Sequence, residues 1–144
     1  MPTVSEIIEA ELNLFNTSIQ QTMSDKNMDA SGNAARSLTV EQRGYIFVSV
    51  GIDYIEYLNR GRPPGKFPPM AAIERWVNLK GLKIDPFVIA RNIADNGTRI
   101  FRNRELGLKL EDKTTALEAS INKVLPKFVA DQIKTAFNKA LTGK

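Results

Sequence analysis

From Arg60 to Pro69 the chain reads Arg-Gly-Arg-Pro-Pro-Gly-Lys-Phe-Pro-Pro, with four prolines and two glycines in ten residues. Each proline holds φ near about −65° and removes a backbone donor, while each glycine opens turns closed to other residues. The segment therefore excludes regular helix and central strand and predicts a stiff, shaped loop, which loses little entropy when it docks on a partner. The stretch after this loop is well signposted. Pro68 and Pro69 suit a first helical turn, Met70, Ile73, Trp76 and Val77 recur at helical spacing, and Gly81 stands where a left-handed stop belongs, so the spacing predicts a helix over 70–81.

Upstream, Val4, Ile8, Leu12, Phe15, Ile19 and Met23 fall on one stripe and predict a long amphipathic helix. Ser24 to Ala35, rich in Asp, Asn, Ser and Gly, reads as a flexible connection. Leu38 and Val40 then alternate with polar residues, and Gln42-Arg43-Gly44 offers a turn. Ile46, Val48, Val50, Ile52 and Tyr54 come next on one face at period two, which predicts an antiparallel hairpin with that face beneath helices.

Downstream, Leu82 to Ile84 is short and extended, and Asp85-Pro86 supplies an N-cap and first-turn proline for a helix ending at Asn96-Gly97. Leu106, Leu108 and Leu110 alternate as a short strand or arm would. Asp112 is the expected cap of a C-terminal helix that Pro126 kinks, with Val129, Ile133, Phe137 and Leu141 beyond it. Without βαβα alternation, the expected fold is α+β. A small antiparallel sheet packs with several helices, the N-terminal one long and amphipathic and the C-terminal one kinked, in a single domain over 1–144.

The chain has neither cysteine nor histidine, which removes disulfides, thiol nucleophiles, imidazole bases and the usual zinc sites. The carboxylates Asp53 with Glu56 and Glu111 with Asp112 lack the spacing of a cation loop. Gly61 to Gly65 lacks the lysine and serine of a phosphate loop, and its prolines remove the N–H groups such a cradle needs. No cofactor, metal or catalytic residue is expected. The longest apolar run, Tyr45 to Ile52, is too short for a membrane span, and Glu6, Glu9 and Glu11 interrupt what a secretory signal would need, so the expectation is a protein made in a cytoplasm and not exported by such a signal.

The pattern Tyr54-x-x-Tyr57-Leu58-x-x-Gly61-Arg62-x-Pro64-Gly65-x-x-Pro68-Pro69-x-x-x-Ile73-x-x-Trp76-x-x-x-Lys80-Gly81 resembles the central motif of the tail-completion or head-tail joining (neck, connector) proteins of tailed bacteriophages. Ile89-Ala-Arg91-Asn-Ile93-Ala-Asp-Asn-Gly97 and Phe101 are similar to the helix and turn that come after it there. The resemblance covers about the middle third of the chain. It implies a small α+β virion protein that assembles with its own copies as a ring between portal vertex and tail. Portal or adaptor protein and neighbouring tail or neck proteins would be its partners, with no catalysis.

Charge divides the chain. Residues 1–34 hold five acids and one base, the remainder nineteen bases and eleven acids, and from Arg60 to Arg104 ten bases face only Glu74, Asp85 and Asp95. The basic part suits an acidic protein surface, the phosphates of DNA passing through a neck, or simply solvent. Arg60, Arg62, Lys66 and Phe67 are the expected interface. Trp76 is expected in the core with Tyr54 and Tyr57 packed against it, hydroxyls in water. The acidic first helix and basic middle segment form a natural complementary pair between subunits. A basic nucleic-acid-binding or virion assembly module is the alternative reading, and a small hydrolase working through a carboxylate the third.

Overall fold

A computed structural model describes residues 2–143. Helix α1 (Val4–Asp25) opens on a reciprocal cap in which Glu6 N–H donates to Thr3 Oγ1 and Thr3 N–H donates to Glu6 Oε2. Its inner face buries Leu12, Asn16, Ile19 and Met23. The polar segment after it is not a loose connection. Both oxygens of Asp29 accept backbone N–H groups, from Gly32 at 3.1 Å and Ala35 at 2.8 Å, shaping a turn into the short helix α2 (Asn33–Ser37), whose Ala34 is fully buried.

Strands β1 (Thr39–Arg43) and β2 (Ile46–Val50) pair antiparallel, Thr39 opposite Val50 and Arg43 opposite Ile46, across a tight Gly44-Tyr45 turn. Directly opposed residues share a face. Ser49 Oγ donates to Asn16 Oδ1 on α1, so the face carrying Val40, Phe47 and Ser49 meets the helix. Ile46, Val48 and Val50, expected inside, share the other face with Thr39, Glu41 and Arg43, and Ile46 is exposed. The strand also ends earlier than its pattern. At Gly51 any Cβ would lie 2.2 Å from Ile55 Cδ1, and this close approach lets the chain turn, taking Ile52 and Tyr54 out of the strand and into the approach to helix α3 (Ile55–Arg60).

Helices α4 (Met70–Lys80) and α5 (Pro86–Asn96) form a pair. Gly81 closes the first at φ +64°, and Asp85 caps the second by accepting the N–H of Phe87. Helix α6 (Arg99–Arg102) is capped by Thr98, and a single 3-10 turn spans Arg104–Leu106. The alternating leucines form no strand. Leu108 is fully buried, its N–H donating to Leu58 O at 3.0 Å, and Leu110 already begins helix α7 (Leu110–Thr142). Asp112 is therefore inside the first turn rather than at the cap. The N–H of Leu110 instead donates to Asn59 Oδ1 at 2.9 Å, so a residue 51 positions away serves as the cap. Helix α7 continues through Pro126, whose missing N–H costs it one intrahelical bond.

Helices α1 and α7 lie antiparallel. At one end Lys26 Nζ donates to the carbonyls of Glu105 and Gly107, and midway Ser120 Oγ donates to Glu11 Oε2. Ile19, Met23, Ala34 and Leu108 form the buried centre, with Phe15, Leu38, Ile55 and Leu58 around it. The α+β architecture, small sheet and two long terminal helices match the expectation. Among the described residues no helix is long and apolar enough to cross a membrane.

Candidate interface

The proline-glycine loop is fastened to the last turn of α5 and the chain just past it. Arg62 N–H donates to Thr98 Oγ1 at 2.9 Å, Thr98 N–H donates to Arg62 O at 3.0 Å, and Gly65 N–H donates to Ala94 O at 2.8 Å. The two backbones meet at glycines. A Cβ on Gly61 (φ +79°) would stand 2.2 Å from Phe101 N, and one on Gly97 (φ +75°) 2.8 Å from Arg62 O and 3.2 Å from Pro64 Cδ. Gly61, Pro64, Gly97 and Phe101 thus belong to one clamp. Pro68 is buried, Pro69 leads into α4, and Gly65 (φ +123°) has open space around it.

The clamp uses up two of the three expected contact cations. Arg60 pairs with Glu111 at 3.1 Å and Glu56 at 3.3 Å. The N–H of Glu111's own backbone and the Arg60 guanidinium hold that carboxyl below its ordinary value. Arg62 lies over the Tyr57 ring, 5.5 Å from its centre, and donates to Phe67 O. Lys66 remains exposed, without an ion pair among the described residues. Three of the four acids named from sequence are engaged, since Glu56 and Glu111 share Arg60 and Asp112 lies 3.5 Å from Lys109, while Asp53 is exposed.

The aromatic residues depart further from expectation. Trp76 is 39% exposed, on the outer side of α4, while Val77 beside it takes the buried position and Ile73 is half-buried. Phe67 pairs with Phe87, ring centres 5.7 Å apart, and both are about half exposed. Tyr54 and Tyr57 project near the surface as well. Partial burial, and then the nearby Asp29, push the Tyr54 hydroxyl above its ordinary pKa.

Among the cations outside the expected set that have no ion pair among the described residues are Arg99, Arg102 and Arg104, close together on α6 and the 3-10 turn. Their signal was present in the absence of any acid between Asp95 and Glu105. The surface thus presents Lys66, Phe67, Phe87, Trp76 and these arginines on a scaffold fixed by the clamp. Its chemistry is that of recognition by charge and apolar contact. No family model, curated protein or solved structure matches the chain.

Proposed function

We propose that the chain is a structural subunit of the head-tail junction of a tailed bacteriophage, forming a ring with its own copies between the portal vertex and the tail. The observation that carries the subunit reading is exposed surface. The chain leaves 9928 Å² accessible, whereas a compact monomer of 16.1 kDa exposes about 7,400 Å² by the usual mass scaling. Much of that surface is apolar. Leu14, Leu79, Val88, Ile133, Phe137 and Leu141 are each more than half exposed. The joining-protein reading draws support from the clamp, because both halves of the resembling pattern, around Gly61 to Pro64 and around Gly97 to Phe101, meet there.

In this reading the clamp keeps the loop in one shape, so Lys66 and Phe67 meet portal, adaptor or tail protein without further ordering. Subunits close into a ring when two different patches meet at an angle that returns on itself. Quantitative peptide mass spectrometry on purified particles tests this. A small whole-number ratio to portal protein is expected, and absence from particles overturns the assignment. A second reading, backbone contact with DNA, is favoured by the unpaired Arg99, Arg102 and Arg104. It requires that the isolated protein bind duplex DNA with an affinity that falls steeply with salt.

A further inference from the structure

Helix α7 carries two apolar stripes, and among the described residues only the first is covered by another element. Leu117, Ile121, Val124 and Phe128 are half-buried on the α1 side. Just past Pro126 the stripe shifts by one residue, about 100° around the helix, to Val129, Ile133, Ala136 and Ala140, flanked by Phe137 and Leu141. The 4-3-4 spacing is that of a helix seam, and its alanines permit close approach of another backbone. All of these residues are exposed, Ile133 by 66%, Phe137 by 63% and Leu141 by 71%. Counting outward from the Glu11–Ser120 contact, α1 begins opposite about position 127, so the last four turns project past it.

An open groove lies elsewhere on the molecule, between α1 and α7, floored by Leu14, Phe15, Ala116 and Leu117 and edged by Glu11, Asp112 and one base, Lys113. At about 320 Å³ it stands at the small end of ligand pockets and lies open, a shape for the side chains of a helix rather than for an enclosed molecule. We propose that the projecting arm of one copy, residues 129–141, docks its apolar stripe into the α1–α7 groove of a second copy.

Three observations select that occupant. Arm and groove lie on one continuous helix, so the arm cannot fold back into its own groove. Charge complements, since α1 holds Glu6, Glu9, Glu11 and Asp25 with no base, while 127–142 holds Lys127, Lys134 and Lys139 against Asp131 alone; among the described residues none of these eight is ion-paired. Two arms side by side would instead bring like charges together. The contact joins two different patches and so propagates head to tail. This inference rests on the ring reading and supplies its contact: the first helix keeps the acidic role expected of it, and the arm takes the basic one.

Sedimentation of the full chain and of the double variant Ile133→Glu, Phe137→Glu at low salt tests it. Because both side chains are exposed, thermal unfolding at a dilution where both chains are monomeric should be unchanged, while self-association weakens roughly tenfold or more. The chain lacks cysteine, so Ser18→Cys and Ala140→Cys chains, mixed and treated with a short bis-maleimide, should join as a heterodimer. Undiminished assembly of the double variant, joining only between Ala140→Cys chains, or a wild-type chain that stays monomeric would each overturn arm-in-groove docking. The copy number in particles judges the ring reading separately, so failure of one is distinguishable from failure of the other.

Discussion

The clamp around Gly61 and the arm beyond Pro126 are opposites in construction. The clamp has irregular backbone, yet its N–H groups and carbonyls, its glycines and two of its arginines are engaged with named partners. The arm is regular helix throughout, yet its apolar side chains touch water. Regular secondary structure and tertiary commitment are therefore separate properties: backbone hydrogen bonds within a helix are satisfied locally, while an apolar face is satisfied only by a neighbour.

The sharpest way to break this comparison is Gly61→Val. The side chain would enter space held by Phe101 N and Thr98 Oγ1 in a left-handed backbone, and a loss of about 3 kcal/mol or more in urea unfolding is expected. Stability within about 1 kcal/mol of the parent would mean that the clamp is not rigid. Leu108→Ala empties a fully buried position and should cost about 2–5 kcal/mol by the same measurement. Gly65→Val sharpens the contrast within one loop. Open space surrounds Gly65, so only its φ opposes substitution, and a cost of about 1–2 kcal/mol with the core intact is expected, together with, on the proposed junction role, failure to join heads to tails. Normal joining by that variant would remove the loop from the function.

The smallest effect concerns the ion pair at the clamp's edge. Glu111 is held below its ordinary value of 4.5, so its favourable contribution is complete above that pH and is lost as pH falls through the lower folded value. NMR titration should show this carboxyl moving toward its ordinary value in Arg60→Ala, with global stability little altered because the pair is exposed. An unmoved titration would show that the backbone N–H and the Asn59 amide set it without Arg60.

Elements whose signals are local were legible in the chain. The stripe of α1, the presence of a hairpin, the proline entry of α5, the glycine exits of α4 and α5, and the irregular course of the chain after Gly61 are all set by neighbouring residues. The hairpin turn, however, lies at Gly44-Tyr45 rather than at Gln42-Arg43-Gly44, and Pro68 and Pro69 precede α4 rather than entering its first turn. What escaped was written in distant ones. Asn59 caps α7 from across the molecule, so Asp112 looked like the cap. Leu108 alternates like a strand residue but is drawn into the core by a hydrogen bond to Leu58. Ser49 turns inward because Asn16 waits for it on α1, reversing the sides of the hairpin. At the candidate interface, Arg60 and Arg62 read as free because Glu111 lies far away in sequence and the Tyr57 ring faces Arg62 only after α3 forms. Trp76 read as core because its periodicity is shared with Val77, and only the packing of α4 decides which faces in.

The pairing of α1 with α7 also governs how the protein comes into being. Lys26 and Glu11 find their partners at Gly107 and Ser120, so α1 is made well before the helix that it packs against. At about 5–20 residues per second, the hundred or so residues between them take roughly 5–20 s to emerge, while the stripe of Leu12, Phe15, Ile19 and Met23 has only α2 and the hairpin as cover and lacks the part that α7 supplies. A sticky nascent helix in a crowded polysome is an opportunity for premature association. The carboxylates strung along α1, with no base among them, supply mutual repulsion between nascent chains during that interval.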